Sequence, residues 1–204
     1  MASVFVCRSH DVADQGAQTA AGLTEWMISA DVNQAIKDIL WPDFPAYRLQ
    51  RTLEERIDVI NKMCASRSRV ARHAISKPAH AIEVHCNSVD DPSRAGFHVM
   101  AHVRSHRGQK IARYILREIS ALRPGVRNWG VNLVDRRRQW IGTVREYEAS
   151  RQGFICGTVC PAVLVESCFL SNIEESAWIS EKDNRYRLGR AIGRGLHRYL
   201  KGVA

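Results

Sequence analysis

Short apolar runs that stop at polar residues recur along this chain, and stretches with apolar residues three and four apart lie between them. The first run, Ser3 to Cys7, predicts a short strand leading into Arg8-Ser9-His10-Asp11 and a loop punctuated by Gly16 and Gly22. A helix is expected over Leu23 to Leu40, with Ile28, Val32, Ala35, Ile36 and Ile39 on one face and Glu25 in its first turn. Pro42 and Pro45 break the chain, and Tyr47 to Leu49 is a candidate second strand. Thr52-Leu53-Glu54-Glu55 has the form of a capping box and opens a helix to about His73.

The stretch Ala79 to Ser88 reads as a buried strand ended by Asn87-Ser88. Gly96 to Val103 reads as another, after which Ser105 caps a helix to Leu122, before Pro124-Gly125. Asn128 to Val131 turns into a short extended piece, and Val144 to Arg151 is a candidate short helix. Cys160 to Val165 is a continuous apolar strand that runs into Glu166-Ser167-Cys168-Phe169. Two helices follow Ser171-Asn172, and the last, about Arg185 to Lys201, is amphipathic and very basic.

Length and composition suit one soluble globular domain over 1–204, with no obvious linker to a second. The start, MASVFVC, lacks a basic n-region and a long apolar run, so synthesis in the cytoplasm without a signal peptide is expected. The six cysteines are scattered and read as small buried residues; Cys156 and Cys160 lack the second pair that a zinc knuckle needs. A formal net charge of +9 implies an anionic partner, which charge alone leaves open between nucleic acid, a membrane surface and an acidic polymer. No nucleic-acid-binding motif is visible and the arginines are not interleaved with aromatics, so no specific nucleic acid is expected.

The candidate chemistry sits where strands end, the usual place for ligands in an open α/β sheet. His10 and His85 each follow or close a strand, Glu166 ends another, and Glu25 opens the helix after the first. Two histidines and a carboxylate make a catalytic zinc set with one position open, and a further carboxylate can serve as general base. Each member also has a structural reading: a hydrogen-bonded histidine, or a carboxylate placed by the helix dipole. His98, His102 and His106 are spaced by four, but a change from strand to helix between them spoils a shared face.

The order of motifs resembles the zinc-dependent N-acetylmuramoyl-L-alanine amidases of the type 3 class. VFVCRSH is followed by Asp14-Gln15-Gly16-Ala17, and Glu25 comes at the expected distance. His85-Cys86-Asn87 precedes Ala95-Gly96-Phe97, and Asn128-Trp129-Gly130-Val131 stands for the family's Asn-Arg-Gly-Val. The run from Pro161 to Asn172 matches the family's last and most specific motif throughout. The departures are Ser9 and Asp11 where glycines usually flank the first histidine, Trp129 in place of an arginine, and extra length over Val144 to Thr158. That extra segment is either a longer loop or a lid.

The resemblance implies an α/β fold, a twisted, mostly parallel six-stranded sheet with helices on both faces. It implies hydrolysis of the amide between N-acetylmuramic acid and L-alanine in peptidoglycan, with Zn2+ held by His10, Glu25 and His85 and Glu166 as the base. Glu83 and Asn87 are candidates to orient the zinc ligands, or plain strand-end hydrogen-bonding groups. A phage-type endolysin acting on the wall after release is the expected role; an enzyme of a lysing mother cell, or a catalytically inactive wall-binding or regulatory module on this fold, is the alternative. The basic C-terminal helix is expected to pack its apolar face and to offer Arg190, Arg194 and Arg198 to anionic wall polymers or outer-membrane lipid.

Overall fold

The computed structural model describes residues 2–41, 43–65, 79–135, 138–141 and 149–202. Strands β1 (Ser3–Arg8), β2 (Ala46–Leu49), β3 (Ala79–Asn87), β4 (Phe97–His102), β5 (Asn128–Asp135), β6 (Arg138–Ile141) and β7 (Ala162–Phe169) form one sheet. Their order across it is β2-β1-β3-β7-β4-β5-β6. Neighbours run parallel except at β7–β4 and β5–β6, so the α/β, mostly parallel sheet expected from the sequence is present. Its six expected strands gain β6, a short antiparallel addition on the β5 edge.

Because β1, β3 and β7 are parallel neighbours, their carboxyl ends meet at one rim. The antiparallel β4 brings its amino end, with His98, to that same rim. β7 runs further than its apolar residues suggest: pairing with β3 continues to Asn87 and Phe169 across a bulge, so Glu166 lies inside the strand.

Among the described residues, six helices cover the sheet: α1 (Glu25–Leu40), α2 (Leu53–Ala65), α3 (His106–Leu122), α4 (Ala149–Gly157), α5 (Ile173–Ser180) and α6 (Lys182–Lys201). On one face Val4, Val6, Ile82, Val84, Val163 and Val165 pack under α1, α3 and α6. On the other Phe5, Cys7, Ala81, Met100 and Leu164 pack under Ile60 of α2 and Phe154 of α4. This two-sided burial explains why the central strands read as unbroken apolar runs rather than alternating ones.

The helix starts follow capping chemistry. Thr24 caps α1, its hydroxyl accepting from Met27 N–H, so the helix begins at Glu25 and not at Leu23. Thr52 and Glu55 form the expected capping box, each side chain accepting from the other's backbone N–H at 3.3 and 3.1 Å. Ser105 caps α3 through Gly108 N–H. The expected extension of α2 beyond Ala65 lies outside the described residues. Of the segment Val144 to Thr158, residues 149–157 form α4, which is more than a loop: Phe154 is fully buried, and Asn61 of α2 bonds Gly157 O and Val159 N.

α6 lies between α1 and α3. A Cβ on Gly195 would sit 2.7 Å from Ile115 Cα and from Tyr114 O, so the close approach of α3 requires glycine there. The cations of α6 are largely used within the fold. Arg185 is buried against Asp31 at 2.8 Å, Arg194 and Arg198 flank Glu118 of α3, and Lys201 and His197 share Asp43. Arg187, Arg190, Arg194 and Arg198 are all exposed, the last two while lying beside Glu118.

His80 of β3 is 2 % exposed, lies edge-on to Tyr199 of α6, and its Nδ1 has no hydrogen-bond partner among the described residues. Burial, helped by the charge of Arg107, lowers its pKa to about 4. The unfolded chain, with an ordinary histidine near 6.5, therefore binds the proton first as pH falls. Stability should decline from about pH 6.5 down to about pH 4, by roughly 3 kcal/mol from this group. Denaturant melts across that range should show a shallower decline for His80→Leu; an unchanged slope would contradict the assignment.

Candidate metal centre

β1 ends at Arg8, whose side chain donates to Trp26 O at 2.7 Å and stacks on the Trp26 ring. The next turn puts His10 in the left-handed region, φ 54°, where non-glycine residues pay a strain cost. That conformation is held from both sides: Arg56 of α2 donates to His10 O at 3.1 Å, and the loop beyond is stitched by Asp11 and Asp14. His10 Nε2 then lies 3.1 Å from Glu25 Oε2, and its Nδ1 lies 3.3 Å from Asp14 Oδ2.

Glu25 is buried at the amino end of α1, 1 % exposed. An isolated carboxylate there would cost several kcal/mol. Its oxygens instead face His10 Nε2, His85 Nδ1, Ala17 N–H and Cys86 N–H at 3.1, 3.1, 3.2 and 2.9 Å. Burial acts to raise its pKa, but the hydrogen bonds to the two imidazoles outweigh it and hold the carboxyl well below the usual range. For His85, burial acts downward, and bonds to Glu25 and Glu83 outweigh it and raise the pKa to about 10. His10 is raised by the same balance: burial lowers, Glu25 raises more.

The far nitrogen of His85, Nε2, lies 3.3 Å from Glu83 Oε2, and Glu83 Oε1 is paired with Arg56 Nη2 at 2.7 Å, both side chains being buried. Each imidazole thus has one nitrogen on Glu25 and the other on a second carboxylate, an arrangement that fixes ring orientation around a metal. Asn87 is buried at the end of β3, where its carbonyl accepts from Leu170 N–H.

The three groups suit a small cation. Their ligand atoms all lie within 4.8 Å of one another. The two imidazole-to-carboxylate separations of 3.1 Å are close to the roughly 3.3 Å between ligands of a tetrahedral zinc. Gly16 leaves the room: a Cβ there would stand 2.6 Å from His10 Nε2 and 2.7 Å from Glu25 Oε2. Among the described residues no other trio of His, Cys, Asp or Glu converges this way. His98, His102 and His106 do not: His98 is at the metal-centre rim, His102 ends β4, and His106 begins α3.

Glu166 is fully buried and lies in register with His85 on one side and His98 on the other. Side chains in register share a face, so the three stand in a row about 5 Å apart. Glu83, two residues before His85, is on that face as well.

The Amidase_3 profile, described as N-acetylmuramoyl-L-alanine amidase, matches residues 4–198. The chain belongs to this amidase family. No curated protein sequence matches it significantly. Among solved structures it is similar to the catalytic domain of the amidase CwlV from Bacillus (Paenibacillus) polymyxa var. colistinus, at 19 % identity and TM-score 0.76, covering 98 % of this chain and 99 % of that one. The amidase AmiC2 of Nostoc punctiforme gives 19 % identity and TM-score 0.75 over 98 % and 97 %. The catalytic domain of the CD27L endolysin, which targets Clostridia difficile, gives 15 % identity and TM-score 0.68 over 100 % and 98 %. At these identities the likeness shows a shared amidase fold.

Two residues that shape this site were not singled out as such by sequence reasoning. Asp14 opens the Asp14-Gln15-Gly16-Ala17 motif, four residues after His10, yet nothing in that spacing tells its side chain from a loop cap. Arg56 gave no signal at all, being far along the chain from both Glu83 and His10. Replacing Arg56 by Met would leave Glu83 buried without its cation. We expect a loss of about 3–5 kcal/mol in urea denaturation, with most of it recovered in Arg56→Met/Glu83→Leu. A loss below about 1 kcal/mol for the single variant would show that the pair does not hold the site.

Proposed function

We propose that this protein is a zinc-dependent peptidoglycan hydrolase that cleaves the amide between N-acetylmuramic acid and L-alanine. The observation that carries the reading is the convergence of His10, Glu25 and His85 beside Glu166, in a chain of the amidase family. Zinc held by these three would supply Lewis acidity at the scissile carbonyl and a lowered pKa for an adjacent water.

The protein's own groups do the rest. Glu166 takes the proton from the attacking water and hands it to the leaving nitrogen of L-alanine. It does so one strand away from His85, near enough for proton transfer without spending its oxygens as ligands. Glu83 and Asp14 keep the imidazole rings turned so that His85 Nδ1 and His10 Nε2 face the centre. Arg56 neutralises Glu83 and braces the His10 backbone in the same contact set. An endolysin-type lytic role belongs to the same proposal, as does attraction of anionic wall polymers or outer-membrane lipid to the exposed Arg190, Arg194 and Arg198, the last two of which also lie against Glu118.

Incubation of the purified protein with peptidoglycan tests this. Stem peptides with a free N-terminal alanine should appear with the glycan strands uncut; new reducing sugar ends would contradict the reading. Glu166→Gln should keep one zinc, measured by elemental mass spectrometry, and lose on the order of 10²–10⁴ in turnover. His85→Ala should lose the metal. Near-normal turnover in Glu166→Gln would remove that residue from the role of base.

A further inference from the structure

The rim that carries the metal centre has a second cluster, built from parts that play no role in the reading above. Arg94, Arg127 and Trp129 line, with Asp91, Ser93 and Ala95, a cleft of about 580 Å3. Trp129 stands where the motif of the amidase family carries an arginine. Its Nε1 donates to Ala95 O at 3.0 Å, and its ring lies against Gly96, where a Cβ would stand 2.6 Å from Nε1. Gly96 is two residues from His98, which faces Glu166 across β4 and β7. Trp129 is the second residue of β5, next to Asn128, the partner of Phe97. With neighbouring strands about 4.8 Å apart, it stands roughly 10 Å from Glu166 and roughly 14 Å from His85 along the rim.

The cleft's charge balance is positive. The Arg127 guanidinium stacks on the Trp129 ring at 3.6 Å, and Arg94 is 5.8 Å from the same ring. Asp91 is the one carboxylate lining it; it reaches Arg94 only at 3.9 Å, and its Oδ1 is taken by Ser93 N–H and O–H at 3.0 and 2.6 Å. Among the described residues no carboxylate pairs with Arg127. With Nε1 engaged and one ring face under a guanidinium, Trp129 is a support for the arginines more than a platform for a sugar.

The cleft is also held in shape. Val89 N–H donates to Ser171 Oγ at 3.2 Å, Asn172 Nδ2 to Pro92 O at 3.0 Å, and Gly96 N–H to Glu175 Oε2 at 3.0 Å. These bonds tie the loop before β4 to the turn after β7 and to the first turn of α5. Two forked donors on a fixed support suit a planar anion, to which guanidinium binds through paired N–H bonds.

We propose that this cleft binds a carboxylate of the substrate's peptide stem, two to four residues beyond the scissile amide. An extended peptide advances about 3.3–3.6 Å per residue, so a carboxylate that far along spans the roughly 10 Å between Glu166 and the cleft. The proposal rests on the amidase reading and adds a determinant of substrate choice: stems with free acids over stems whose acids are amidated.

Binding and turnover separate the two. In calorimetry on the zinc-loaded protein, a soluble stem peptide with free carboxylates should bind about tenfold tighter than its amidated counterpart. In Arg94→Gln/Arg127→Gln that preference should vanish with zinc content unchanged. Arg94→Gln alone, which leaves the Arg127–Trp129 stack, should lose part of it. On muropeptides the double variant should raise KM about tenfold for the acid substrate and leave kcat within about twofold. An acid preference retained in the double variant, or no preference in the wild type, overturns the proposal while leaving the amidase reading intact. Arginine-dependent binding without hydrolysis of any muropeptide would overturn the amidase reading instead. Tighter arginine-dependent binding of a glycerol-phosphate oligomer than of the stem peptide would overturn the stem assignment in favour of a wall polymer.

Discussion

A carboxylate at the amino end of α1, closed off from water, has to be met by donors from several directions, and the arrangement of this molecule around Glu25 follows from that need. One donor comes from the loop after β1, two from the end of β3, and one from the turn at Ala17. They can converge only if β1 and β3 are parallel neighbours and α1 returns across the sheet face between them. The apolar residues under α1, α3 and α6 drive that packing, and the rim is where it leaves polar groups to be satisfied. The same four contacts that compensate the buried charge bring two imidazole nitrogens to within 3.1 Å of it.

The neighbours of this carboxylate carry a second layer of constraint. His10 holds a left-handed backbone, and Arg56 and Glu83 are buried as an ion pair; both are costly unless the surrounding structure over-determines them. Arg56 does this by touching the His10 carbonyl and the Glu83 carboxylate at once, so strain in one strand end and charge in the next are settled by a single side chain from α2. α4 supports this side of the sheet, with Phe154 in the core beside Ile60 of α2. On the opposite face, α6 spends most of its positive charge on Asp31, Asp43 and Glu118. The large net charge is thus partly a feature of how helices are joined, which weakens any reading of it as one continuous binding surface.

Much of this was legible from residue patterns. The strands under β1, β3 and β7 are apolar runs because both faces are covered, and Thr24, Thr52 and Ser105 mark helix starts by a local rule that tertiary packing leaves alone. His10, Glu25 and His85 stood out because each falls at an element end. What stayed hidden depends on register and on distance along the chain. Glu166 looked like a strand terminus, since Ser167 and Cys168 do not carry an apolar pattern; pairing with β3 carries the strand past them. His98 looked like part of a histidine series until the antiparallel run of β4 set it against Glu166. Arg56 belongs to a helix whose periodicity is explained by Leu53, Ile57, Ile60, Met63 and Cys64, so nothing local distinguished it from a surface arginine.

The proposed chemistry depends on the identity of the ligands around one metal ion. X-ray absorption at the zinc edge, on protein loaded with one equivalent, reads them without reference to activity. Two imidazole nitrogens with low-atomic-number oxygen neighbours near 2.0–2.1 Å, and no sulfur, is the result predicted for His10, His85 and Glu25. Sulfur scattering near 2.3 Å would place the metal on cysteines instead and contradict the account.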